Sequence, residues 1–249
     1  MKYLADTHMH SIYSYDGQMN MESMIKRGIE LGLKYMAFTE HLEFGQITLK
    51  QFLNRYKVYL EELNHLQEKY QDIQLIKGVE ISNPEMYCKE LEEIHKLDMD
   101  YIIGSNHQLP KKQTKKEIYN YYLTILKMVK LGGIDSLGHI DYIRRKFDDS
   151  FIDIDIIKEI YSYLIKNDIS LEINSSAIRR KKLDSFPSDE KIKLYIECGG
   201  SKITIGSDAH RLNEIYDGIK KIDEEYDLEK GVYIKRKFKI LSDKKYNLL

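Results

Sequence analysis

Short apolar runs alternate with longer amphipathic segments along the whole chain. Several of the apolar runs are nearly continuous, which is typical of strands in a parallel sheet whose two faces are both covered. They lie at residues 3–7, 35–39, 73–81, 100–104, 134–138, 169–173 and 202–206. Between them, the spacing of apolar residues predicts helices near residues 20–31, 48–70, 85–97, 115–131, 153–166, 188–198 and 211–221.

These seven β-then-α units predict an α/β fold, most simply a TIM-barrel-like (β/α)7 barrel with one unit fewer than the eightfold kind. An open, doubly wound sheet is the alternative. The chain has 249 residues and no evident linker, repeat or low-complexity tract, so we expect residues 1–249 to form a single domain. After residue 222, mixed charge and some β character predict a terminal helix and strand that pack beneath the barrel.

Composition narrows the range of partners. The 39 basic and 40 acidic residues nearly cancel, which does not favour binding to nucleic acid. The chain opens directly on a predicted strand, and no apolar run approaches the roughly 18 residues of a membrane span. Cys88 and Cys198 fit a reduced cytoplasm. We therefore expect a cytoplasmic protein that acts on a small molecule without a membrane partner, and the sequence predicts no particular oligomeric state.

Six of the eight histidines lie at or just beyond the C-terminal ends of predicted strands. In a barrel of parallel strands those ends converge on one face, where active sites are built. Glu80 in the third strand adds a carboxylate to this face, and Asp16 and Asp208 add two more from loops. The candidate metal ligands are therefore His8, His10, Asp16, His41, Glu80, His107, His139, Asp208 and His210.

A mixture of imidazoles and carboxylates suits zinc, manganese or iron, because calcium and magnesium prefer shells of oxygen alone. A catalytic ion takes about three to five protein ligands, so nine candidates predict two or three divalent ions that share ligands. Such a cluster binds both the attacking and the leaving oxygen of a phosphoryl transfer. It also lowers the pKa of a bridging water, so that hydroxide exists at neutral pH.

The motifs DTHMHS…DG, TEH, GVE, GSNH, GHID and GSDAH resemble, in order and spacing, those of the PHP (polymerase and histidinol phosphatase) metallophosphoesterases. The resemblance spans residues 4–210 and implies a distorted seven-stranded barrel with a trinuclear metal centre. It implies that the first metal is held by His8, His10, Glu80 and Asp208. It further implies that Glu80 bridges to a second metal, completed by His107 and His139. The third metal would be held by Asp16, His41 and His210.

The segments DTHMHSIYSYDG, TEHLEF and EIN, together with the compact length, are similar to the stand-alone histidinol-phosphatase branch of that family. This similarity implies hydrolysis of L-histidinol phosphate to L-histidinol and phosphate in histidine biosynthesis. Three alternatives stay open. The chain could act on a nucleotide or sugar phosphate, bind metal without activity, or hydrolyse an amide or lactone as an amidohydrolase does.

Arginines near the strand ends are predicted to bind the outer oxygens of the phosphate, because the planar guanidinium fork suits that geometry. We expect Arg144 and Arg179 in this role; the competing neighbours are Arg145, Arg180 and Arg211. After in-line attack by a metal-bridging hydroxide, the alcohol would be protonated by water or by Asp208 or His210.

Other polar residues at strand ends are predicted to support the site. Asp6, Glu40 and Asp141 are expected to orient histidine rings through hydrogen bonds. Glu172 and Asn174 share one face of the sixth strand. They are expected either to contact the amine and imidazole of a cationic substrate or to form structural hydrogen bonds.

Overall fold

One sheet forms the framework of the molecule, and within the described residues it has nine strands that are adjacent in the order of the sequence. The computed structural model describes residues 2–150, 152–180 and 184–242. All seven predicted strands are present and run parallel to their neighbours. Their bounds are β1 Ala5–Met9, β2 Tyr35–Glu43, β3 Gln74–Ser82, β4 Tyr101–Ser105, β5 Ser136–Leu137, β6 Ser170–Asn174 and β7 Lys202–Gly206. The α/β prediction is confirmed.

In the described part of the chain, seven α-helices follow the strands, and side-chain caps fix the start of most of them. They are α1 Met21–Glu30, α2 Leu49–Lys69, α3 Cys88–Ile94, α4 Lys115–Leu131, α5 Ile154–Lys166, α6 Asp189–Glu197 and α7 Ile219–Glu225. The predicted cap Asn20 accepts the N–H of Ser23, and Thr48 forms a capping box with Gln51. Each helix buries apolar residues, as α1 does with Met21, Met24 and Ile25.

The helix predicted over 211–221 is wrong in its first half. Residues Leu212–Glu214 form a short 3-10 turn, and α7 begins only after Gly218, whose φ is 77°. The intervening loop is held by tertiary contacts, because the backbone N–H of Tyr216 donates to Asp6 and its hydroxyl donates to the carbonyl of Tyr3. These hydrogen bonds hold the segment as a loop, although the spacing of its apolar residues is helical.

The sheet curves round until β7 meets β1, but the two strands do not form a continuous ladder. They are joined at their C-terminal ends by one bridge between Met9 and Ala209, with the N–H of His10 donating to the carbonyl of Ala209 at 2.9 Å. At the other end, the first residues of β7, Lys202 and Ile203, pair with Glu229 and Lys230 instead. The seven strands therefore make a distorted, incompletely closed barrel.

A β-hairpin covers the N-terminal ends of the barrel strands. It consists of β8 Glu229–Ile234 and the antiparallel β9 Lys237–Ser242. Arg236 at its turn donates to the carboxylate of Asp135 at 2.5 Å, and the N–H of Lys235 donates to Asp100 at 2.8 Å. The expected terminal helix is thus wrong for the described residues, where two strands follow α7. The expectation also covered residues 243–249, which lie outside the described part of the structure.

The first strand is fastened to the loop after β7. The carboxylate of Asp6 accepts hydrogen bonds from the N–H of Ser207 at 2.9 Å and from its hydroxyl at 2.5 Å. Residues 201 positions apart in the sequence thereby lie side by side in the barrel. Among the described residues, no helix is both long and apolar enough to cross a membrane.

Candidate metal centre

Five histidine rings surround the buried carboxylate of Glu80 at the C-terminal ends of the strands. Its Oε1 atom lies 2.8 Å from Nε2 of His139 and 3.1 Å from Nε2 of His107. Its Oε2 atom lies 3.0 to 3.5 Å from one nitrogen of each of three further rings, those of His8, His10 and His41. Each oxygen of one carboxylate therefore faces its own group of imidazole nitrogens.

Two aspartates and the sixth histidine complete the cluster on its outer side. Asp208 Oδ1 lies 3.4 Å from Nε2 of His10. Asp16 is shared between two rings, with its oxygens 3.5 Å from Nε2 of His41 and 3.2 Å from Nε2 of His210. The structure thus brings all nine predicted ligands into one connected group.

Strand register and close backbone approach produce this convergence. In the ladder between β2 and β3, His41 pairs directly with Glu80. Asp208 adopts a left-handed φ of 54°, and its N–H donates to the carbonyl of His8 at 2.8 Å. Gly206 leaves room for His8, because a Cβ at position 206 would lie 2.3 Å from the Cβ of His8.

Three of the six rings have their second nitrogen beside an oxygen that is not one of the predicted metal-ligating atoms. Glu172 Oε1 lies 2.5 Å from Nδ1 of His8, and Glu43 Oε1 lies 3.0 Å from Nδ1 of His107. The carbonyl of Asp208 lies 3.0 Å from Nδ1 of His210. Each contact favours a proton on Nδ1, so that the lone pair of Nε2 faces the cluster.

The residues that orient the rings differ in part from those expected. Asp6 binds backbone groups of the loop after β7 rather than a ring, and Asp141 accepts from Arg144, Lys191 and the N–H of Ser188. Glu40 accepts the hydroxyl of Ser14, and that hydroxyl in turn contacts the ring of His10. The sequence carried one usable signal for Glu43, since it lies two residues after His41 on β2 and so on the same face.

Of the two roles expected for Glu172 and Asn174, the structure favours structural hydrogen bonds over contact with a substrate. Both side chains are fully buried. Glu172 accepts the N–H of His139 at 2.9 Å in addition to its contact with His8, and Asn174 accepts the N–H and hydroxyl of Ser176. Both residues therefore stabilise the cluster and its loops from below.

The donor set fits divalent metal ions. Nε2 of His8 and Nε2 of His10 lie 3.0 Å apart, although each ring has Nδ1 against an acceptor. His41 Nδ1 and Glu80 Oε2 are also 3.0 Å apart, yet their orientation is not that of a hydrogen bond. Lone pairs that converge without a proton between them are expected of ligands to a cation. Three overlapping triads have this geometry: His10, His41 and His210; His8, His10 and Glu80; and His41, Glu80 and His107.

Electrostatics favour added positive charge at the same point. Burial opposes protonation of His41 and His107, but Glu80 and the adjacent carboxylates raise the pKa of His41 to about 10 and that of His107 to about 9. Burial would raise the pKa of Glu80, yet the surrounding rings hold it well below the ordinary value. The pKa of His10 is lowered by its burial and by the neighbouring ring of His41. Without a metal ion, protons on the histidines balance the negative charge of the carboxylates; a bound divalent cation would supply that positive charge instead.

Two adjoining cavities open above the cluster, with volumes of about 420 and 290 Å³. Asp16, Arg145, Asp208 and His210 line both of them. The larger cavity is otherwise lined by Gln18, Ser176, Arg179, Arg211 and Glu214, and the smaller by Tyr15, His41, Glu43, Gln46, Glu80, His107 and Tyr142. A small polar ligand can therefore reach the cluster and the arginines together.

The arginines at the cleft are only partly those expected. Arg179 lines the larger cavity and donates to the carbonyl of Asp208 at 3.2 Å. Arg145 lines both cavities with its guanidinium 4.5 Å from the centre of the Tyr142 ring. Arg144 instead donates to Asp141, to Asp184 and to the carbonyl of Ser185. The side chain of Arg180 lies outside the described part of the structure.

A distorted α/β barrel that gathers histidines and carboxylates at the C-terminal ends of its strands is the framework of a metal-dependent hydrolase. Residues 6–176, more than half of the chain, match the family model of the PHP domain. The chain belongs to the PHP domain family.

Similar proteins carry phosphatase names. A probable histidinol-phosphatase of Clostridium acetobutylicum is 32% identical over 84% of this chain and 88% of its own length. One of Thermotoga maritima is 30% identical over 89% of this chain and 91% of its own. The crystal structure of histidinol phosphate phosphatase from Lactococcus lactis, in complex with zinc, L-histidinol and phosphate, has a TM-score of 0.78. It is 23% identical, and the match covers 95% of this chain and 99% of that one, which supports the barrel fold.

Proposed function

We propose that this chain is a metal-dependent phosphomonoesterase that hydrolyses L-histidinol phosphate to L-histidinol and phosphate, a step of histidine biosynthesis. One observation carries the proposal: imidazoles converge on Glu80 beneath a cleft whose walls hold Arg145 and Arg179. Metal ligands and anion-binding side chains are the two elements that hydrolysis of a phosphate ester needs. The names of the two bacterial relatives favour histidinol phosphate among such esters.

The nine clustered residues would hold two or three ions of zinc, manganese or iron, and we propose a trinuclear centre. Three overlapping triads within the cluster support that number, because one residue recurs in each pair of triads. The ligands would be His8, His10, Asp16, His41, Glu80, His107, His139, Asp208 and His210. When bound, such ions supply a hydroxide nucleophile at neutral pH and offset the charge on the phosphoryl oxygens.

The side chains of the cleft perform the remaining tasks. Arg179 and Arg145 bind the outer phosphate oxygens, and Arg145 replaces Arg144 in this role because Arg144 is held by two aspartates. Asp208 and His210 line both cavities, so they would orient the water that passes a proton to the leaving alcohol.

We further propose that residues 1–249 act as one barrel domain in the cytoplasm, on a small molecule and without nucleic acid or membrane. The near-zero net charge supports the absence of nucleic acid from the reaction. The two free cysteines favour a reducing compartment.

The test is phosphate release from histidinol phosphate, compared with a panel of nucleotides and sugar phosphates, by protein reconstituted with manganese or zinc. We expect a strong preference for histidinol phosphate, abolished by His8→Ala and by a chelator. His65→Ala is the matched control, since His65 is exposed on α2 away from the cluster, and it should retain full activity. Broad or nucleotide-biased release would contradict the assigned substrate, and no release from any phosphate by metal-loaded protein would contradict the class.

The arginine assignment has its own test. Arg145→Ala should raise KM for histidinol phosphate by about tenfold or more, because one charge-assisted contact to the phosphate is worth about 1.5–3 kcal/mol. Arg144→Ala should lower stability with a smaller change in KM. If Arg144→Ala raised KM more than Arg145→Ala did, Arg144 and not Arg145 would be the phosphate-binding residue.

A further inference from the structure

Ser14 lies in the loop between β1 and α1, and its hydroxyl contacts three different groups. It donates to Oε2 of Glu40 at 2.5 Å and accepts the backbone N–H of His41 at 2.9 Å. Nδ1 of His10 lies 3.2 Å away. A serine hydroxyl has one proton and two lone pairs. The hydroxyl proton is donated to Glu40 and one lone pair accepts the N–H of His41, so the remaining lone pair accepts a hydrogen bond from the Nδ1–H of His10.

This arrangement determines which nitrogen of His10 faces the cluster. With its proton on Nδ1, the ring presents the lone pair of Nε2 towards Glu80 Oε2 and Asp208 Oδ1, at 3.5 and 3.4 Å. The same hydroxyl fixes the backbone of His41, whose ring stacks on that of His10 with 4.0 Å between ring centres.

Glu40 closes the first turn of the same loop. Its Oε1 accepts the hydroxyl of Ser11 at 2.6 Å and the N–H of Ser11 at 3.1 Å, while Oε2 holds Ser14. All of these groups donate to it, and the carboxylate is buried. The turn from Ser11 to Gly17 carries Asp16, and it permits no side chain at Gly17, where a Cβ would lie 1.8 Å from the carbonyl oxygen of Ser11.

We propose that Ser14 and Glu40 are positioning residues that assemble one end of the metal centre, the end formed by His10, His41 and Asp16. The Ser14 hydroxyl sets the tautomer of His10 and holds the backbone of His41. The Glu40 carboxylate fixes the loop that carries Asp16. This inference rests on the metal centre of the proposed function, and it does not depend on which phosphate ester is hydrolysed.

The test is zinc binding by purified protein, with stoichiometry from elemental analysis and affinity from competition with a chromophoric chelator. We expect Ser14→Ala to bind at least one zinc equivalent about 10- to 100-fold more weakly, as loss of a partner that orients a ligand ordinarily does. Ser14→Thr keeps the hydroxyl and should recover much of that affinity. Ser185→Ala is the matched control, because Ser185 is equally buried and donates to the carbonyl of Pro187, away from the cluster.

Glu40→Gln provides a second variant that does not alter the serine. Its amide group cannot accept at both of the former oxygens, so the same zinc equivalent should weaken while the others keep their affinity. Ser14→Ala and Glu40→Gln proteins with the zinc stoichiometry and affinity of the parent would overturn the inference, as would an equal loss in Ser185→Ala. A parent protein that binds zinc but hydrolyses no phosphate ester would refute the proposed function alone, since the zinc titration still decides the positioning role.

Discussion

Replacing Gly206 with alanine tests whether the metal centre depends on the close approach of β7 to β1. A Cβ at position 206 would lie 2.3 Å from the Cβ of His8 and 2.9 Å from Oε1 of Glu172. Carbon atoms in contact are ordinarily about 3.5–4.0 Å apart, so the strands must separate by about 1.2 Å. The displacement acts directly on His8 and on the carboxylate that orients its ring.

A misplacement of that size should lower kcat/KM for phosphate release by about 100-fold. Overpacking of the barrel should also reduce the free energy of unfolding by about 1–3 kcal/mol. Gly28→Ala is the matched control. A Cβ there meets the sulfur of Met36 at 2.2 Å, which overpacks the core between α1 and β2 without touching the cluster.

The assay pairs urea unfolding with kinetics and a zinc titration on both variants. We expect both to lose stability and only Gly206→Ala to lose kcat/KM and zinc affinity. Unchanged kinetics in Gly206→Ala would refute the role assigned to the close approach. An equal kinetic loss in Gly28→Ala would show that general destabilisation explains the effect.

Three other predictions concern the groups around the site. Glu172→Gln should weaken zinc binding by about 10- to 100-fold in a competition titration, because one amide oxygen cannot accept from both the ring of His8 and the backbone N–H of His139; an unchanged affinity would contradict this. Removal of metal should lower Tm, since zinc at about 1,000 times its Kd stabilises the folded state by about 4 kcal/mol, and calorimetry with and without chelator measures the shift. Lys191→Met should cost about 3–5 kcal/mol in urea unfolding, because it leaves Asp141 and Asp149 buried without their shared cation. Burial opposes protonation of Lys191, but these two aspartates raise its pKa above 10.5, so the stabilisation is complete below about pH 10.5 and is lost as the pH rises through the higher value in the folded protein. Equal free energies of unfolding for the parent and Lys191→Met proteins at pH 8 would contradict the role assigned to Lys191.

The strand framework could be predicted because its signal is local. Buried parallel strands are continuous apolar runs, and the ligands occupy equivalent places near the ends of six of the seven runs, so Glu80 and the six histidines follow from position alone. Pairing along β2 and β3 then brings His41 beside Glu80 without any information from outside the two strands.

The failures concern contacts between distant parts of the chain. Glu172 orients a histidine 164 positions away, and nothing near residue 172 in the sequence indicates which of the neighbouring strands it meets. The loop before α7 reads as helix because its apolar spacing is helical, whereas the backbone of Tyr216 is held by Asp6 from the first strand. Arg144 and Arg145 are adjacent and chemically identical, and only the fold of their 3-10 turn separates the one held by aspartates from the one at the cleft.

The fastening of Asp6 to Ser207 has a consequence for how the protein is made. On the ribosome, His8, His10 and His41 emerge early, yet their partners Asp208 and His210 are synthesised about 170 to 200 residues later. Pairing across such a separation is slow and forms late in folding. The nascent chain therefore exposes an incomplete set of metal-binding imidazoles for most of its synthesis. We expect the full complement of ions to be acquired only after the seventh strand has left the ribosome and closed against the first.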